Sequence, residues 1–194
     1  MELGDAETLV QALASGLARK PDPEKLDAVY RSLPRMECKG KCASSCGPAP
    51  LSPVEKQRIE ARGVEWVDGR VATLALGQKA GTTCSALDQK SLRCRVYDDR
   101  PMVCRIWGVV KALECPWGCV PEGGLLDDLE GLRLMNLALW YGGSVHGVEP
   151  ERWEKLAARP GLARVMASFL ARARPVQEET RIIQPTVRVR PADD

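Results

Sequence analysis

The chain is predicted to be mainly α with small β elements, an irregular cysteine-rich centre flanked by helices. Three observations predict this. Apolar residues recur at three- and four-residue steps on both sides of the centre. Glycine and proline interrupt the centre itself. Eight cysteines, Cys38, Cys42, Cys46, Cys84, Cys94, Cys104, Cys115 and Cys119, all lie there, and the flanks have none. At 194 residues the chain fits one compact domain, or one with helical extensions. The expected division is an N-terminal helical segment over 1–35, a cysteine-cluster domain over 36–122, helices packed on it over 123–174 and an extended tail over 175–194.

Taken in order, a first helix follows Asp5, with Leu9, Val10, Leu13 and Leu17 on one face. Pro21-Asp22-Pro23 breaks it. A second runs from Glu24 to Leu33, with Leu26, Val29, Tyr30 and Leu33 on one side. Residues 38–50 hold Gly40, Gly47, Pro48 and Pro50 and are expected to be a loop with local turns. Ser52 then caps a helix, with Pro53 at its first position and Glu55 completing a capping box, ending by Gly63. Val64, Trp66, Val71, Thr73 and Leu74 favour extended chain, and Asp68-Gly69 signals a hairpin turn, so a two-stranded ribbon over 64–76 is expected. Cys94 to Tyr97 reads as another short strand. Pro101 sits at the first position of a short helix carrying Met102, Val103, Ile106 and Trp107. A strong helix covers 125–141 and stops at Gly142-Gly143. Pro150 starts another, and Pro160 or Gly161 opens one reaching about Arg174. In the tail, Pro175, Pro185 and Pro191 forbid long regular structure, while TRIIQ and TVRVR alternate like edge strands.

The cysteines carry the chemistry. Cys38, Cys42 and Cys46 fall within nine residues; Cys84, Cys94 and Cys104 follow at ten-residue steps; Cys115 and Cys119 close the set. Thiolates select zinc, Cu(I) or iron–sulfur clusters over hard cations. Short spacings close small loops at little entropic cost, so two modules about seventy residues apart look like halves of a site, completed by the middle cysteines. The N-terminus is acidic, with no basic-then-apolar leader, and no apolar run approaches the roughly 18 residues that span a bilayer. A cytoplasmic location is expected, where grouped cysteines bind metal more often than they form disulfides. Lys39, Lys41, Arg93, Arg95 and Arg105 adjoin cysteines, and positive charge favours thiolate, although any single one is read as solvated. Cys115-Pro116-Trp117-Gly118-Cys119 reads as a tight turn with an aromatic cover.

Cys84-Ser-Ala-Leu-Asp, followed by Cys94-Arg-Val-Tyr-Asp-Asp-Arg-Pro-Met-Val-Cys104-Arg, resembles the YkgJ-type cysteine-cluster family of zinc- or iron-chelating domains. Its pattern C-x-I-Y-x-x-R-P-x-x-C-R is matched by Cys94, Val96, Tyr97, Arg100, Pro101, Cys104 and Arg105. The family's C-x2-C-x2-C-C front cluster is altered here: the spacings are three and three, and Gly47 stands where the adjacent last cysteine would be. The resemblance covers about residues 38–119 and implies metal chelation. A similar cluster in flagellin lysine N-methylases implies iron–sulfur in some relatives. Structural roles are expected for the motif's other residues: Tyr97 in the core, Arg100 capping or pairing with Asp98 or Asp99.

All eight cysteines are therefore the candidate metal ligands, in one site or two. The near-absence of histidine, the Cys-Pro pair and the resemblance tip the balance to a [4Fe–4S] cluster, with Zn2+ the alternative. No phosphate loop, nucleophile elbow or paired histidine is present, so no catalytic residue is assigned. His146, in a loop, is read as solvated or hydrogen-bonded. Asp98-Asp99 and Asp127-Asp128 read as turn and helix-start residues. The leading function is a metal-binding interaction or regulatory module. The alternatives are an iron–sulfur-dependent enzyme or accessory protein modifying another macromolecule, and metal storage or delivery. The expected partner is another protein, met through helices or the tail. A net charge of +2 gives weak support for nucleic acid and none for a membrane.

Overall fold

The structure is a computed structural model and describes residues 19–47, 49, 51–66 and 83–159. The expected helices over 5–17 and 160–174, the tail and the hairpin at Asp68-Gly69 lie outside them. The described residues are mainly helical, as the sequence predicts. The α-helices are α1 (Pro23–Arg31), α2 (Pro53–Ala61), the short α3 (Met102–Arg105), α4 (Asp128–Tyr141) and α5 (Pro150–Ala157). Among the described residues, none is long and apolar enough to cross a membrane.

Three of the helices, α1, α2 and α4, start where a capping side chain satisfies free backbone amides. Asp22 Oδ1 accepts from Lys25 N at 3.1 Å to begin α1. Asp127 Oδ1 accepts from Glu130 N at 2.8 Å to begin α4. Ser52 and Glu55 form the expected capping box on α2, with Pro53 in its first turn. The strong helix thus begins at Asp128 rather than 125. Leu126 is instead held in a parallel bridge with Val110, its N donating to Val109 O at 2.9 Å. Pro101 is the cap of α3 rather than its first residue. Gly142 and Gly143 end α4, and Gly143 takes a φ of +82°.

α4 packs against α1, α3 and α5. Together with α2 they enclose a core of Leu26, Val29, Val54, Met102, Ile106, Val110, Ala112, Leu113, Leu134, Leu137 and Ala138. Each fully buried aliphatic side chain here is worth about 2 kcal/mol of apolar transfer. A second, smaller core holds Ile59, Val64, Trp66, Ala86 and Val96, with Cys84 and Cys94 packed against it. α2 joins the two, giving Val54 to the first and Ile59 to the second.

The expected strand over Cys94–Tyr97 is not formed. Cys94 makes a single antiparallel bridge to Leu87, and the chain turns at once into a 3-10 segment, Tyr97–Asp99. Asp88 closes the tip of this pairing, its Oδ1 accepting from Lys90 N and Ser91 N at 2.8 and 3.0 Å, and the 3-10 turn at Tyr97 ends it at the other side.

Candidate metal centre

Four stretches bring the cysteines together. The front stretch carries Cys38, Cys42 and Cys46, the last two around a 3-10 turn over Cys42–Ser45. It is tied to the middle stretch by Cys84 N, which donates to Cys46 O at 3.1 Å. Cys84 and Cys94 flank the loop closed by the Leu87–Cys94 bridge, and Arg95 N donates to Ala86 O at 2.9 Å. Cys104 rides on α3, whose first amide, Met102 N, donates to Glu55 Oε1 at 2.7 Å.

That carboxylate is a structural hub. Glu55 is 2 % exposed. Its Oε1 also accepts from the Tyr30 hydroxyl at 2.7 Å, and its Oε2 from Ser52 N and Ser52 Oγ at 2.8 Å each. A buried carboxylate is tolerated when its lone pairs are satisfied in this way. Burial, with the negative charge of Glu55 beside it, keeps the Tyr30 phenol protonated far above its ordinary range. Glu55 thus caps the helix that carries it and orients the helix that carries Cys104.

All eight cysteines are free thiols. Five of them, Cys42, Cys46, Cys84, Cys94 and Cys104, share one electrostatic neighbourhood. The Cys46 thiol donates to the Cys42 carbonyl at 3.6 Å, and the interaction of the two thiols holds Cys42 low, near 6, while Cys46 is pushed up, first by Cys42 and then by burial. Ionised Cys84 and Cys104 raise Cys46 further. Burial raises Cys84, helped by Cys94, while the amides of Ala86 and Leu87 donate to its sulfur and pull the other way. Burial pushes Cys104 up to about 12, with Cys84 and Cys94 adding to the rise. Mutual repulsion of this kind is what a bound cation relieves. Among the described residues, no three cysteine, histidine or acidic side chains already stand close enough to hold one metal ion. Charge acts over longer distances than coordination, so these thiols are neighbours and not a closed cage.

The closing pair occupies a different place. Cys115 and Cys119 are buried and form the expected turn, with Gly118 N donating to Cys115 O at 3.1 Å and Gly118 at a φ of +71°. Three contacts clamp this turn to the start of the front stretch. Lys39 N approaches Cys119 Sγ at 3.4 Å, Lys39 Nζ donates to Trp117 O at 3.0 Å, and Glu122 N donates to Arg35 O at 2.8 Å. The front and closing modules therefore meet, but at the Cys38 end. Cys38 is exposed, and its sulfur lies 3.4 Å from Gly40 N.

Two expectations for the motif residues need correction. Tyr97 is 45 % exposed rather than in the core, because the 3-10 turn rotates it outward while Val96 takes the buried position. Arg100 does not pair with Asp98 or Asp99. Asp99 is taken by Arg62 at 2.6 Å, and the Asp98 carbonyl by Arg105. Arg100 instead stacks on Tyr97, with its guanidinium carbon 3.6 Å from the ring centroid. Of the flanking cations, Arg95 lowers Cys84. Lys39 and Arg105 are spent on backbone carbonyls. Arg100, which was not among them, acts on Cys42 and Cys104. His146 is exposed in its loop, as expected.

The fold thus gathers thiols from distant stretches around a helix cap. Residues 37–119 match the CxxCxxCC family, described as a putative zinc- or iron-chelating domain. The match spans every cysteine, covers less than half of the chain and leaves the flanking helices outside it. No curated protein and no solved structure matches the chain.

Proposed function

We propose that Cys46, Cys84, Cys94 and Cys104 are the four thiolates of one metal centre, a [4Fe–4S] cluster in preference to Zn2+. The observation that carries this is the mutual electrostatic contact of these four sulfurs, one from each of four chain positions that the fold brings together. Ligation would draw them inward by side-chain rotation. The donor set suits the group. The set is all sulfur, the lone histidine lies apart, and amides already donate to Cys84, as they do to metal-bound thiolates. Two buried donors nearby also lack an acceptor: Ser85 Oγ, next in the chain to Cys84, and Trp66 Nε1, in the core that Cys84 and Cys94 touch. An anionic sulfur would satisfy either. Cys42 stands beside the tetrad as a fifth thiol.

The protein would act as an interaction or regulatory module, with another protein as its partner, met through its helices or tail. Anaerobic purification with metal analysis tests the centre. The expected preparation is brown, with a broad absorbance near ~400 nm, and Cys104→Ser loses its metal while Cys115→Ser keeps it. A colourless preparation with stoichiometric zinc would replace the cluster by zinc on the same ligands. Metal lost from Cys115→Ser but kept by Cys104→Ser would sink the assignment of the tetrad.

A further inference from the structure

Cys115 and Cys119 are buried but belong to neither apolar core, and the tetrad proposed above does not use them. The turn that carries them is pinned to the front stretch at Arg35 O, Lys39 N and Lys39 Nζ. Met36 and Cys38 lie between those pins. Because Lys39 N donates to Cys119 Sγ at 3.4 Å, that sulfur stands within about 6 Å of the Cys38 Cα. A thioether closes in from the other side. A Cβ at Gly108 would lie 3.2 Å from Met36 Sδ and 3.3 Å from Cys115 Cβ. The bare glycine therefore lets Met36 sulfur and Cys115 approach one another across it. Gly40 N also donates to Cys38 Sγ at 3.4 Å, so two backbone amides point at sulfur here. Hydrogen bonds of this kind favour thiolate and are a feature of metal-bound cysteines.

We propose that Cys38, Cys115 and Cys119, with the Met36 thioether, form a second site that takes a thiophilic monovalent ion, Cu(I). It shares no ligand with the tetrad. The donor set chooses the ion. Zinc is held by cysteine, histidine or carboxylate, whereas thioether sulfur beside thiolate suits Cu(I). The three thiols are not yet gathered on one point. Cys115 and Cys119 are fixed in a buried turn, so exposed Cys38 is the sulfur that rotates inward. Each ligating thiol releases its proton as the ion binds, and no oxidant or reductant is needed.

The test adds Cu(I) anaerobically to the full-length protein as isolated, in competition with a colorimetric Cu(I) chelator, and reads copper, iron and zinc together. Wild type should take up a single tightly held Cu(I) while its iron and zinc stay unchanged. Cys119→Ser should lose that equivalent and keep its iron or zinc. Met36→Leu, which keeps the bulk of the side chain, should weaken copper binding by about tenfold. Met135→Leu is the control, a thioether packed on the helical core, and should match wild type. No copper uptake overturns the proposal, as does uptake that expels iron or zinc in step or that Cys119→Ser retains. Met36→Leu binding as tightly as wild type also overturns it. If Cys119→Ser does not fold, Met36→Leu decides. Wild type holding neither iron nor zinc would sink the tetrad, yet a loss of one copper equivalent in Cys119→Ser would still uphold this site.

Discussion

Glu55 shows how one residue can be legible in sequence for one role and hidden for another. Its place in the capping box follows from Ser52-Pro53-Val54-Glu55 alone. Its bonds to Tyr30 and Met102 do not, because they join residues 25 and 47 positions away. Tyr97 and Arg100 fail for a related reason. A tyrosine in a short apolar run reads as core, but a single 3-10 turn reverses which of Val96 and Tyr97 is inside. Replacing Glu55 by alanine leaves the buried Met102 and Ser52 amides and the Tyr30 hydroxyl without their acceptor. The expected loss is about 3 kcal/mol in urea unfolding. A loss below about 0.5 kcal/mol would show that water takes the place of the carboxylate.

At the scale of elements, caps and breakers were the readable signals. Asp22, Ser52, Asp127, Gly142-Gly143 and Pro150 mark real helix ends, each for a local reason. The errors came where tertiary pairing competes with local preference. Leu125 and Leu126 fit the helical pattern of α4, yet Leu126 is drawn into the bridge with Val110. Cys94–Tyr97 has strand composition, but the 3-10 turn at Tyr97 takes it out of the ladder after one bridge. The same Val110 makes α4 depend on a glycine. A Cβ on Gly131 would lie 2.5 Å from Val110 Cγ1, and Val110 is fully buried. Gly131→Ala should therefore destabilise by about 2 kcal/mol despite its better helix propensity. Adding Val110→Ala should restore part of that loss in the same unfolding assay; strictly additive losses would count against the clash.

For the whole molecule, the sequence showed where the cysteines cluster but not how the fold arranges them. Spacing alone paired the front triplet with the closing pair. The fold sets Cys46, Cys84, Cys94 and Cys104 in one electrostatic neighbourhood and clamps Cys115 and Cys119 beside Lys39 in the front stretch. That separation depends on contacts some 80 residues apart, which no local pattern encodes. The two cores should also differ in their need for metal. The larger is helical and apolar, while the smaller leans on Cys84 and Cys94. Stripping metal should speed hydrogen exchange across residues 84–96 well before α4, and equal acceleration in both would show a single cooperative unit. Glu55 links the two regions, and this bears on the order in which the protein comes together. The carboxylate that starts α2 also holds the first amide of α3, so the helix carrying Cys104 is oriented by a helix cap and an apolar core. An arriving metal would find one sulfur already stationed, with the other cysteine stretches left to close around it.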